Sequence, residues 1–258
     1  MKTIRSFIKI VDHQTIIVTF MAIISTYLCK KFNFAANMPS GLIGVAIIFP
    51  IVFSINAAYR RREESLRYFA SLKAHSVALF YAHRDWVPSK DHEDKKRIID
   101  IIKSLLTSIK DYFLAPEEKR AEKLKSVYMV FSEISKSHEK LRENKVPANE
   151  ISRANQYLRS IIIEFERMRN ILQYRTPVSL KSYSTVFLNS FPILFGPYFA
   201  HLAGTFSPLV GYIIAILYSL VLVSLDNIQE VLENPYDAIG EDDLDMDIVE
   251  EYVQIMEM

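Results

Sequence analysis

The side chains best suited to binding chemistry in this 258-residue sequence lie near its end, where Glu241, Asp242, Asp243, Asp245 and Asp247 crowd together. Carboxylate oxygens at that density suit a hard cation such as calcium, which gathers about six to eight oxygen ligands. The same run fits a solvated, partly disordered tail, because 226–258 holds twelve acidic residues and neither lysine nor arginine. The six histidines, at positions 13, 75, 83, 92, 138 and 201, lack the spacing of a metal site, and Cys29 is the single cysteine. No cofactor is therefore required, and calcium is the one ion the acidic run suggests. An enzyme would need a nucleophile with its base, or paired carboxylates inside the apolar zones. Glu63 and Glu64 instead stand beside Arg60, Arg61 and Arg62, where an interfacial salt-bridge network accounts for them, so no catalysis is expected.

A second pattern is physical. Val45, Phe49 and Phe53 stand four residues apart in a stretch without charge. On a helix they share one stripe about 12 Å long. Taken alone, such a stripe faces lipid or packs on another helix. Set around an axis by several copies, it would form an apolar tube that disfavours water and leaves an ion unsolvated. Pro50, within the same helix, removes a backbone donor and invites a kink or loosened turn.

The elements that position these residues follow from where charge is missing. Half of the chain is apolar although the formal charge is only +1, and two zones are nearly charge-free. The first contains 16–29 (IIVTFMAIISTYLC) and 42–58 (LIGVAIIFPIVFSINAA), separated by Lys30, Lys31, Asn33, Asn37 and Pro39; the second, 183–225, is broken near His201, Gly204, Ser207 and Pro208. A bilayer core about 30 Å thick takes about 20 helical residues, so four transmembrane helices are expected, with 16–29 the shortest. Lys2, Arg5 and Lys9 precede an apolar run, but no A-x-A-like site follows it, so the first helix is expected to stay rather than be cleaved as a signal. Basic residues at the start and at Arg60, Arg61 and Arg62 put both termini in the cytoplasm of a multi-pass cell-membrane protein.

Between the zones the chain is charged, free of glycine and helical in period. Leu66, Phe69, Leu72 or Lys73, Val77 and Phe80 continue the second span beyond Tyr59, and further helices read as 93–113, 116–144 and 149–174, punctuated by Pro88, Pro116 and Pro147. Lysines and arginines alternate with acids there, so a nucleic-acid surface is not expected. The expected fold is all-α: 1–59 with spans one and two, 60–177 as a helical cytoplasmic domain, 178–225 with spans three and four, and 226–258 as an acidic cytoplasmic tail.

Three blocks in this order resemble the bestrophin family, including its shorter bacterial members. They are Lys9 to His13 (KIVDH) before the first span; Gly41-Leu-Ile-Gly-Val-Ala-Ile-Ile-Phe on to Phe53, with Asn56, Tyr59 and Arg67; and Arg175-Thr-Pro-Val, joined to Asp226 and Glu233-Asn-Pro-Tyr236 with Gly240 and the acidic cluster. The resemblance implies a homopentameric ion channel in the lipid bilayer, with an axial pore lined by the second helix. By position it implies a pore neck at Val45, Phe49 and Phe53 and a cytoplasmic aperture at Ile151. Members include anion and cation channels; ring edges of Phe49 and Phe53 tilt the expectation towards anions such as chloride. The alternatives are a cation-conducting homologue and a non-conducting membrane scaffold for a cytoplasmic protein partner. Animal members hold calcium after an Asn-Pro-Phe-Gly motif; here Tyr236 replaces Phe, and Asp237, Ala238 and Ile239 precede Gly240, which puts the ligand register in doubt. Asn234, Asp242, Asp243 and Asp245 are the candidates a clasp would use.

Overall fold

Asp12 opens the first helix: its carboxylate accepts hydrogen bonds from the backbone N–H and the hydroxyl of Thr15, at 2.9 and 3.0 Å. This satisfies a donor that a helix start leaves unpaired. The computed structural model describes residues 11–87, 92–174, 178–238 and 243–258, and in them the regular structure is helical. In chain order the helices are α1 His13–Lys31, α2 Ser40–Asp85, α3 His92–Leu114, α4 Glu117–Glu143, α5 Ala148–Gln173, α6 Val178–Leu194, α7 Gly196–Thr205, α8 Pro208–Glu233 and α9 Val249–Glu257. They form two compact units, one of Met1–Arg60 and Arg175–Glu233, the other of Arg61–Tyr174 and Asn234–Met258.

In the first unit α1 packs on α6, α7 and α8. Its core is Ile51, Leu188, Phe195, Phe199, Ala215 and Leu222, with Tyr218 stacked on Phe195 and Phe191 tilted against it. The break of the second apolar zone is more complex than the sequence suggests. Pro197, lacking an N–H, cannot bond the carbonyl of Ile193 four residues back, and the helix breaks at Phe195 between α6 and α7. The freed carbonyl accepts from the Ser25 hydroxyl on α1, at 2.7 Å. Gly196 is what lets α1 come so close, since a Cβ there would overlap Ser25 Oγ. Of the expected break near His201, Gly204, Ser207 and Pro208, the first part is helix, and the chain turns at Phe206 and Ser207. Among the described residues, Thr185–Thr205 and Pro208–Glu233 are long and apolar enough to cross a membrane.

The second unit is built on the continuation of α2, which runs unbroken through position 50 and far beyond Tyr59. Phe69, Leu72, Leu79 and Phe80 of α2 meet Ile98, Ile102, Leu105 and Ile109 of α3, Val127, Phe131 and Ile134 of α4, and Ile161, Phe165 and Met168 of α5. The sets on α3, α4 and α5 recur at three- and four-residue steps, the signature of a buried helix face. Leu66, expected on this face, is exposed; buried Ser65 holds that place. Helices α3 to α5 end within two residues of their expected bounds, with Pro116 and Pro147 in extended or turn-like geometry just before α4 and α5.

The end of the chain departs from the expected solvated tail. Beyond Asn234 it folds into the second unit. Leu244, Met246 and Ile248 alternate inward, then Val249, Val253 and Met256 bury one face of α9. The acids point away, and two meet lysines of α3: Asp247 with Lys110 at 2.7 Å and Glu250 with Lys103 at 3.3 Å. Acidic residues dominate the count, but every second or fourth position is apolar, and burial of that set fixes the segment.

Candidate functional site

Helix α2 is two-faced in the first unit. Ile51, Ser54 and Ala58, at three- and four-residue steps, are buried. On the other side Val45, Phe49 and Phe53 are 64%, 61% and 57% exposed, with Ile48 and Val52 beside them. The Phe49 and Phe53 rings meet edge to face, centroids 4.9 Å apart, which fixes their mutual orientation. The three carried-over neck positions thus lie on one uncovered apolar stripe, backed by a packed face that holds the helix in place. What such a surface can do is remove water: it offers an ion neither charge nor hydrogen bond, so passage along it depends on how wide the surrounding space is.

Ile151 is placed differently. It is 7% exposed and belongs to the second unit's core with Ala154, Leu158 and Ile161. In the single chain the carried-over aperture position packs into the core of its own unit. Its spacing with Ala154, Leu158 and Ile161 is the inward stripe of α5, a signal available in the sequence.

Of the calcium candidates, the stretch 243–245 returns beside Asn234, because the backbone N–H of Leu244 donates to the carbonyl of Pro235 at 2.9 Å. Asn234 donates from Nδ2 to Asp237 at 2.7 Å, and Asp245 accepts from the backbone of Asp247 at 2.8 Å. Asp243 lies on the surface near Lys110, and Asp242 lies outside the described residues. Among the described residues no three His, Cys, Asp or Glu side chains form a metal set.

The residue that sequence reasoning undervalued is Tyr236. Its ring is fully buried against Phe113, centroids 4.4 Å apart. Its hydroxyl lies 2.8 Å from Ser65 Oγ on α2 and 3.2 Å from the carbonyl of Met168 on α5. Burial pushes the phenol's pKa well up, so it stays a neutral donor. Tyr236 therefore pins the segment after α8 to the charged half of α2. The Asn-Pro-Tyr sequence marked the position, but the extra hydroxyl carried the information.

No family model and no curated protein matches the sequence. Solved structures do match. The chain superposes on a bacterial bestrophin homologue from Klebsiella pneumoniae with a TM-score of 0.79 at 18% identity, covering 94% of this chain and 97% of the other. The fold is the bestrophin fold. A single-site variant of the same homologue gives a TM-score of 0.80 at 16% identity over 94% and 96% of the two chains, and a structure described only as a membrane protein gives 0.78 at 18% over 94% and 97%. The exposed stripe of α2 occupies the stretch that carried the resemblance, and the superposition covers 94% of the chain.

Proposed function

We propose that this chain is one protomer of a bestrophin-like ion channel, a homopentamer in the cell membrane with four membrane-crossing segments per chain, both termini cytoplasmic and no enzymatic activity. One observation carries the reading: in a chain with the bestrophin fold, α2 buries Ile51, Ser54 and Ala58 while leaving Val45, Phe49 and Phe53 uncovered. Five copies around an axis would turn that stripe into three stacked apolar rings, a neck that conducts when wide enough to stay wet and closes by dewetting. Phenylalanine ring edges carry the positive part of the ring quadrupole, and a neck that turned them to the axis would favour anions such as chloride.

Reversal potential under a chloride gradient, measured on purified protein in planar bilayers, tests this. A current reversing near the chloride equilibrium potential supports an anion-conducting channel. Reversal near the cation potential keeps the channel and overturns the selectivity. Well-folded oligomer that passes no ion across a range of conditions overturns the channel reading in favour of a scaffold for a cytoplasmic partner.

A further inference from the structure

Two histidines that the proposed pore does not use meet in the second unit. His83, in the last turn of α2, and His138, on α4, stack with ring centroids 5.6 Å apart and planes 28° from parallel. The hydrogen bonds around them fix both tautomers. Ser137 Oγ gives its one proton to the carbonyl of Ile134 at 2.7 Å, so towards His83 Nε2, 3.3 Å away, it accepts, and His83 carries its proton on Nε2. Asn155 donates from Nδ2 to the carbonyl of Ile151 at 3.1 Å, which turns its Oδ1 to His138 Nδ1 at 2.9 Å and makes that nitrogen the donor. His138 Nε2 is then an unprotonated nitrogen, buried with no partner, on a residue only 2% exposed.

We propose that the His83–His138 pair is an acid-sensitive joint, packed while both rings are neutral and pushed open by protonation, which ties the end of α2 and α4 to the first turns of α5. A proton added at His138 Nε2 would be a buried N–H with no acceptor, beside a second ring that resists the same charge. Burial already pulls His83 down to about 4, with His138 adding to the effect, and burial lowers His138 too although its bond to Asn155 opposes this. The charged surroundings are mixed. Asp94 and Arg97 of α3 and Lys140 of α4 line a narrow cleft beside His83, with about 20 Å³ of room, enough for a single water. Glu139 favours and Arg142 disfavours protonation of His138, while Arg84 and Asp85 engage each other at 2.6 Å. On α5 the facing group is the neutral Asn155.

The sign follows from the lowered values. The folded state binds the proton less readily than the unfolded chain, so the joint's stabilisation is complete above the ordinary histidine value of 6.5 and is lost as pH falls towards about 4. Because α2 also carries Val45, Phe49 and Phe53, opening the joint alters conduction; this last step rests on the channel reading, whereas the joint does not.

The experiment uses the full chain in lipid nanodiscs. Imidazole NMR of histidine-labelled protein follows titration, and thermal unfolding is measured from pH 7.5 to 4 for wild type, His138→Gln and His83→Phe. The His83 imidazole titrating near 4 with His138 displaced in the same direction, and a variant losing at least half of the wild-type fall in Tm, support the joint. All imidazoles titrating together near 6.5, or identical Tm profiles in wild type and both variants, overturn it. Protein that shows the shifted titrations yet passes no ion sinks the channel reading and leaves the joint standing.

Discussion

Phe49 and Phe53 are held by each other and by the backbone, not by a core, and that decides what their removal does. Phe49→Ala deletes an exposed ring, so stability should change by no more than about 0.5 kcal/mol, as for surface positions generally. Conductance should rise, because the neck widens and stays hydrated; unchanged single-channel conductance with unchanged Tm would contradict the neck assignment. Tyr236 behaves oppositely. Tyr236→Phe keeps the ring but leaves Ser65, buried on α2, without its partner, and should cost about 1–2 kcal/mol, read as a fall in Tm. The stripe was legible in the sequence because it lies in a charge-free run at helical spacing. Ile151 was placed by counting along a resembling sequence, which gives a position and not the direction a side chain faces.

At the scale of elements, proline explains both the successes and the misses. Pro116 and Pro147 punctuate the charged region visibly, and the helices between them end close to where the sequence puts them. Pro197 sits in a uniformly apolar zone, where its effect depends on a partner from another helix, Ser25, that no local pattern announces. Ser25→Ala should strand the Ile193 carbonyl in an apolar setting and cost about 1–3 kcal/mol, measured by thermal unfolding; no loss would mean that water replaces the hydroxyl. Helix α9 makes the complementary case. Deleting residues 249–258 removes the buried Val249, Val253 and Met256, each contributing on the order of 1.5–3 kcal/mol at most. The truncated protein should unfold at markedly lower temperature, whereas a freely solvated tail would leave Tm untouched.

At the scale of the whole molecule, one chain does not account for its own surface. Val45, Ile48, Phe49, Val52 and Phe53 form a continuous apolar face on a helix whose other side is packed, and α8 exposes Leu209, Ile213, Leu217 and Val221 as well. Under the proposed function, lipid covers the second kind of face and the first is turned towards the shared axis of other copies. Native mass measured in detergent should therefore equal five chains. The all-helical class and the long α2 were readable from charge and period alone. Two of the four expected spans meet the test of length and apolarity among the described residues; α1, at 19 residues, carries His13 and Gln14 at its start and Lys30 and Lys31 at its end.

Whether the stripe faces a water-filled axis or lipid is the central question, and thiol accessibility answers it. Phe49→Cys and Phe53→Cys would be made in a Cys29→Ala background, and current in planar bilayers followed while a charged, water-soluble methanethiosulfonate is added. The proposed neck predicts a large, rapid change of current at both positions and none in the cysteine-free background. Unchanged current, with the same cysteines modified readily by a lipid-soluble maleimide, would place the stripe against lipid and remove the neck.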